Sequence, residues 1–310
     1  MVAPAPPGLV PPPTRPAIDI SWVNNFLMLV GSYAEDWIFG MPPDASLFHY
    51  TDLAGLIGIL TANDLWLTHS RFSNDEQELT HGYALAHAVV ATAREQTTDP
   101  ARAAYLDLIA LFLREPPAQG VYIACFCKMD NLLSQWRGYG ANGTGVSIRV
   151  QPRLFDRVTG PDSPHGGSMR LWKAFYDPRT QRSLLETAVN MAYDPSLSIE
   201  ACASHAADAI DFFVPTFKNA DFTSEDECRL IFTPPPNCPV KPRFRVGRGM
   251  VMPYYSLKEL SGGGQTIPIA GVTVGPSPNR AANVESIRML LAMNGYPNIS
   301  VEASATPYRG

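Results

Sequence analysis

Four groups of side chains in this sequence have types and spacings suited to chemistry, and they lie far apart. His49-Tyr50-Thr51 ends an apolar run that begins at Leu47. A polar loop runs from Arg71 through Asn74 to Glu78. Trp136 and Tyr139 stand three apart, and Glu225-x-Glu227 is followed by Arg229 and then by Lys241, Arg243, Arg245 and Arg248. Standard site templates are absent: there is no P-loop, no Gly-x-Gly-x-x-Gly after a strand, no Gly-x-Ser-x-Gly and no His-Glu-x-x-His. No metal site is expected either. His81 and His87 are six apart on one expected helix, His165 sits beside Gly166-Gly167 in a loop, and His205 lies on a helix. A metal-dependent nuclease or other hydrolase is disfavoured because no metal-carboxylate cluster is evident.

Each group also has an ordinary explanation. His49 reads as a hydrogen-bonded core histidine. Trp136 and Tyr139 read as neighbours on a helix packed into a core. Glu225 and Glu227 alternate outward from a strand, which suits a solvated face, and the basic run suits protection of a sheet edge.

The elements that must position these groups follow from the apolar pattern. Leu47 to Tyr50 reads as a strand. Thr51-Asp52 begins a helix through Leu53, Leu56, Ile57 and Leu60, and Asn63-Asp64 turns the chain into a strand at Leu65-Trp66-Leu67. His49 and Tyr50 then sit at a strand end beside a helix N-terminus, a place that favours anions. Alternation puts them on opposite faces unless a bend brings them together. Helices are expected over about Leu79–Val90, Tyr105–Leu113, 178–194 and 197–214, and a short one at Leu132–Tyr139 capped by Asp130. Strands are expected at Val121–Cys127, Val146–Val150, Leu171–Tyr176, Glu225–Phe232, Phe244–Val246, Met250–Tyr255 and Ile267–Val274, the last interrupted by Pro268 and so an edge or a bulge. Asn279 or Asn283 caps a final helix, and Ile299–Glu302 reads as a last strand. The irregular interleaving favours α+β over a doubly wound sheet.

The chain has 310 residues, 45% of them hydrophobic, which is enough for a real core. A formal net charge of −5 and a pI near 5.7 leave no global basic field for nucleic acid. No run is long and apolar enough to span a membrane, and the start lacks the features of a signal peptide. Five cysteines, an odd and scattered set, point to buried reduced thiols and a cytoplasmic setting. Residues 1–17 are Pro-rich and expected to be a disordered arm. Residues 18–45 carry a helical pattern through Trp22, Phe26, Val30, Tyr33 and Trp37, and residues 46–310 form the main domain.

In order, the motifs of that domain resemble a mostly bacterial family, the DUF2971 proteins, a domain of unknown function. The pieces are Phe48-His49-Tyr50-Thr51, Leu65-Trp66-Leu67 with Asn74-Asp75 and Glu78, Cys125-Phe126-Cys127 with Leu132 to Tyr139, Gly145-Val146, Glu225 to Leu230, Pro253-Tyr254 and Pro307-Tyr308-Arg309. Phe222 and Cys228 depart from the pattern, which more often has tryptophans near the paired acids.

The layout is in turn similar to ADP-ribosyltransferases of the His-Tyr-Glu kind. That similarity implies an α+β fold with a bent, split, mostly antiparallel sheet core and flanking helices. It also implies NAD as substrate, and a protein or nucleic acid as acceptor. By the same analogy Glu227 is the catalytic carboxylate, Glu225 orients the acceptor, and His49 and Thr51 contact NAD. Tyr50, Tyr139 or Trp136 stacks on nicotinamide, Arg71 meets a phosphate, and Asn74 belongs to the same site. Such an activity would suit a toxin, effector or phage-defence protein, with an inhibitory partner protein as a further implication. The competing reading is a nucleotide- or nucleic-acid-binding module without catalysis, using the same pocket and Lys241–Arg248. The two acids discriminate: catalysis needs a carboxylate inside a pocket, whereas an anion-binding module keeps both outside.

Overall fold

The computed structural model describes residues 45–72, 78–113, 120–155, 159, 165, 168–247, 249–263, 267 and 269–307. The expected arm, all but the last residue of the helix expected over 18–45, Asn74, Arg248 and Tyr308-Arg309 lie outside the described residues. In chain order the elements are β1 (Leu47–Thr51), α1 (Leu53–Ala62), β2 (Trp66–His69), α2 (Glu78–Gln96), α3 (Pro100–Phe112), β3 (Tyr122–Cys127) and α4 (Leu133–Gly138). Then come β4 (Val146–Val150), β5 (Ser168–Lys173), α5 (Pro178–Met191), α6 (Ile199–Phe213), β6 (Glu227–Thr233), β7 (Arg243–Gly247) and β8 (Met250–Ser256). α7 (Leu257–Leu260), β9 (Ile269–Val274), α8 (Arg280–Met293) and β10 (Ser300–Ala303) complete the set.

The strands make one ten-stranded sheet, mixed with helices and mostly antiparallel, as the α+β expectation required. β9 and β10 pair in parallel, and the other named pairs are antiparallel. Its shape is a fork. β6 takes the whole of one edge of β3, from Tyr122↔Phe232 to Cys127↔Glu227. A strand has two edges, so β1 and β2 must share the other. β2 takes one end through Thr68↔Ile123 and His69↔Tyr122, while β1 meets the other end only at Phe48↔Cys127. Beyond Phe48, β1 leaves β3 and stays with β4 along its full length. One branch is therefore β1-β4-β9-β10, the other β2-β8-β7, and the stem β3-β6-β5.

Local sequence explains the start of the fork. Asp52, in extended conformation, accepts the Gly55 N–H at 2.6 Å and starts α1, and Asn63 in the left-handed region ends it. Gly145 enters β4 where a Cβ would stand 2.2 Å from the Thr51 carbonyl oxygen, so the close approach of β4 to β1 there requires glycine.

Among the described residues the two largest cores flank the sheet. The first packs Leu56 and Leu60 of α1, Leu257 and Leu260 of α7 and Ile287 and Leu291 of α8 against strand residues such as Leu67, Phe126, Ile148, Leu230 and Val272. The second is a helical layer of α2, α3, α5 and α6 closed by Trp172 and Phe175. Ala203, Ala206, Ala207 and Ala209 keep the buried face of α6 small, which lets neighbouring helices approach closely.

Two expectations need correction. Asp130 does not cap α4: Leu132 holds the N-cap position without a side-chain bond, and Asp130 instead accepts Thr273 Oγ1 at 2.6 Å. The strand expected from Glu225 starts at Glu227, because Ala220–Glu225 is a 3-10 helix. Of the two alternatives for β9 the bulge holds: β9 lies between β4 and β10, and its register with β4 shifts at Arg149/Val150.

Candidate functional site

Where β1 leaves β3, a cleft opens in the sheet. His49 crosses the gap: its Nδ1 lies 2.9 Å from the Cys125 carbonyl oxygen, filling a place that a ladder bond would take in a continuous sheet. A carbonyl only accepts, so Nδ1 carries the proton and Nε2 remains the acceptor. Burial lowers the pKa of His49, against the pull of this hydrogen bond, so the ring is neutral at pH 7.

The cleft is lined by Phe48, His49 and Tyr50 from β1, Cys125 and Phe126 from β3, Gln135 and Tyr139 at α4, and Glu225 and Glu227 at the entry to β6. Its volume is about 50 Å³. The fork explains how distant residues share it. Phe48 faces Cys127 and Cys127 faces Glu227 across the ladders, so Tyr50, two residues past Phe48, shares their face.

Both acids turn inward because the chain between them bends. Asp226 has φ +40, in the left-handed region that Asp tolerates better than most residues, and pairs with Lys128 at 3.3 Å. Glu225 and Glu227 then grip one cation from two sides. Lys218 Nζ donates to Glu227 Oε2 at 3.0 Å and to Glu225 Oε2. Arg229 adds Nε at 3.1 Å and Nη2 at 2.9 Å to the same Glu227 oxygen, and its Nη1 donates to the Pro215 carbonyl at 2.8 Å.

The environments separate the two acids. Burial opposes the charge of Glu227, yet Arg229 and Lys218 outweigh it and hold the carboxyl at about 2. At Glu225 burial dominates and raises the pKa, despite Lys218. Glu225 also lies at the mouth, with the Tyr139 hydroxyl 3.5 Å from Oε1. Burial raises the Tyr50 and Tyr139 phenols, which stay neutral.

Of the expected site residues, His49, Tyr50, Tyr139, Glu225 and Glu227 meet in this cleft. Trp136 does not line it: the ring is fully buried behind Tyr50, edge-on at 4.9 Å, and its Nε1 donates to Asn131 Oδ1 at 2.9 Å. It supports the aromatic wall without offering a face to a ligand. Thr51 turns toward the start of α1, where its Oγ1 lies 2.0 Å from the place a Cβ on Gly55 would occupy. Arg71 is exposed on the 3-10 turn Ser70–Phe72 and does not line the cleft. The basic run is also elsewhere. Arg243 and Arg245 sit on β7, the last strand of the other branch, where Arg243 pairs with Glu259 and Arg245 donates to Thr68 Oγ1 at 3.2 Å.

Lys218, Gln135, Phe48, Cys125 and Phe126 were not picked out from the sequence as site residues. Lys218 had a signal: a lysine ending the apolar run Phe212–Phe217, seven and nine residues before the two acids. A buried ammonium needs carboxylates, and these two are within a short loop's reach.

Residues 135–230 match the family described as "Protein of unknown function (DUF2971)". The matched span begins within α4, carries Lys218, both glutamates and Arg229, and is shorter than the 46–310 of the motif resemblance. β1, with His49 and Tyr50, lies outside it. No curated protein and no solved structure matches the chain.

Proposed function

We propose that the chain is an NAD-consuming, ADP-ribosyltransferase-like enzyme whose cleft receives the nicotinamide–ribose end of the substrate. One observation carries the reading: His49 and Tyr50 from β1, Tyr139 beside α4, and Glu225 and Glu227 line the same cleft. By the criterion of the two acids, carboxylates inside a pocket favour catalysis over an anion-binding module.

NAD supplies a glycosidic bond whose cleavage builds positive charge on the ribose. A fixed carboxylate facing such charge is worth about 3–4 kcal/mol, by analogy with single oxyanion-hole donors. Tyr50, Tyr139 and Phe126 provide aromatic surface beside carboxylates, which suits a flat cationic ring. In this reading Glu225 faces the substrate, because it lies at the mouth with an oxygen toward Tyr139. Its raised pKa suits it to take the acceptor's proton. Glu227 is a positioning residue: with three N–H groups on Oε2 it fixes Lys218, which fixes Glu225. The catalytic role expected of Glu227 thus passes to Glu225.

The residue types fit one end of NAD, while the closed volume does not. About 50 Å³ admits a few waters, against roughly 300–1,000 Å³ for small-molecule sites. Substrate therefore enters by displacing α4, which Ser134 and Gln135 tie to the carbonyls of Ser224 and Glu225 at 3.2 and 3.3 Å.

The test is to incubate the full chain with NAD labelled in its adenylate phosphate and a cell extract. Label moving onto protein or nucleic acid supports the reading and identifies the acceptor class. Label remaining entirely in NAD contradicts it.

A further inference from the structure

The cleft wall at α4 is held from behind by the segment that follows β10. Asn131, just before α4, has φ +63 and is the node. Its Oδ1 accepts Trp136 Nε1 and Ser304 Oγ, and its carbonyl accepts Thr306 Oγ1 at 3.4 Å. Ser304 is buried, its N–H reaches the Val274 carbonyl at 2.7 Å, and its Oγ accepts the Thr306 N–H at 3.1 Å. On the cleft side, the Leu132 N–H donates to the Tyr50 hydroxyl at 3.1 Å, which donates to the Met129 carbonyl at 3.3 Å. The short stretch 129–132 is thus pinned by Ser304–Thr306 on one side and carries the aromatic wall on the other.

We infer that Ser304–Thr306 is a latch. Its undocking from Asn131 lets α4 swing outward and opens the cleft; as a means of admitting substrate, this rests on the reading of the cleft as the NAD site. α4 has six residues and no side-chain N-cap bond, so tethers rather than intrinsic helix stability set its position. The mouth-side tethers are single bonds, exposed at Ser134 and half-buried at Gln135, whereas Ser304 and Trp136 are buried and share Asn131 Oδ1. The Asn131 node is the better shielded set, and a non-glycine residue held in the left-handed region relaxes once its bonds release.

Cys125 reports opening independently of NAD. It lines the cleft and is half-buried, whereas Cys127, Cys202, Cys228 and Cys238 are buried. Iodoacetamide labelling of each thiol, followed by mass spectrometry, is measured on the native full chain and on the Ser304→Ala/Thr306→Val variant. Losing the hydroxyl bonds of Ser304 and Thr306 is expected to speed Cys125 labelling roughly tenfold, with Cys202 in the helical layer unchanged. An unchanged Cys125 rate overturns the latch. If all thiols of the double variant label together, Asn131→Gly decides, because it keeps the backbone conformation and removes the side-chain node. Faster labelling of Cys125 alone in that variant supports the latch, and any other pattern overturns it. Faster Cys125 labelling without NAD consumption by any form leaves the gate standing and removes the enzyme reading. NAD consumption with unchanged labelling does the reverse.

Discussion

Lys218→Met removes the cation that joins the two carboxylates while keeping an apolar stem beside Phe222, whose ring centroid lies 5.1 Å from Nζ. Lys218 is buried and binds Glu227 at 3.0 Å as well as Glu225. Without it Glu227 keeps Arg229, and Glu225 loses its ion-pair partner. Removing one partner from a buried ion pair costs about 3–5 kcal/mol, which corresponds to roughly 6–15 °C in Tm. The sign of the pH dependence follows from the same loss. Without the cation both carboxyl pKa values rise in the folded state and the native protein binds protons more readily than the unfolded chain. The variant is therefore least impaired near pH 5, and the deficit relative to wild type grows toward pH 8. Urea unfolding of both proteins at pH 5, 6.5 and 8 measures this. A deficit below about 1 kcal/mol at pH 8, or one that shrinks as pH rises, refutes the three-charge arrangement.

Glu227→Gln leaves Arg229 and Lys218 without their shared anion and is expected to lower stability by about 3 kcal/mol in urea unfolding; an unchanged midpoint would mean that the acid is exposed in solution. Gly145→Ala drives a Cβ to 2.2 Å from the Thr51 carbonyl, so a loss of about 1–3 kcal/mol is expected, read as a drop in melting temperature. Wild-type stability declines in two acid steps. Burial lowers the pKa of His49, so below about 6.5 the unfolded chain takes protons first and stability falls. The contribution of Glu227, present above 4.5, is lost between 4.5 and about 2 and amounts to about 3 kcal/mol, part of it offset by the raised pKa of Glu225. Denaturant titrations at pH 7, 5 and 3 follow both steps.

Much of the fold was legible because its signals are local. Asp52, Asn63 and the Leu53–Leu60 spacing define strand, helix and turn within a short window, and α5 and α6 follow from apolar periodicity. The fork was not legible from spacing. It depends on β1 leaving β3 after one register pair, and no residue near Phe48 announces that. The five converging site residues are legible as a set of types, whereas the charges and rings around them are not. For Glu225 and Glu227 it is the ordinary alternative of a solvated strand face that fails, because the left-handed Asp226 and the buried Lys218 turn both inward. The Trp136 ring, an expected stacking surface, is buried because Tyr50 lies over it. Burial of a single aromatic depends on tertiary neighbours that helical spacing does not encode.

The most direct measurement is nicotinamide release from NAD by wild type and by Glu225→Gln at equal concentrations of folded protein, in the presence of the cell extract. Gln retains the shape and one acceptor oxygen and loses the charge. Release by wild type, with a drop of roughly 10²–10³-fold in the variant and a melting temperature close to wild type, is the expected result. Equal release by the two proteins contradicts Glu225 as the substrate-facing carboxylate, and no release by either contradicts NAD as the substrate.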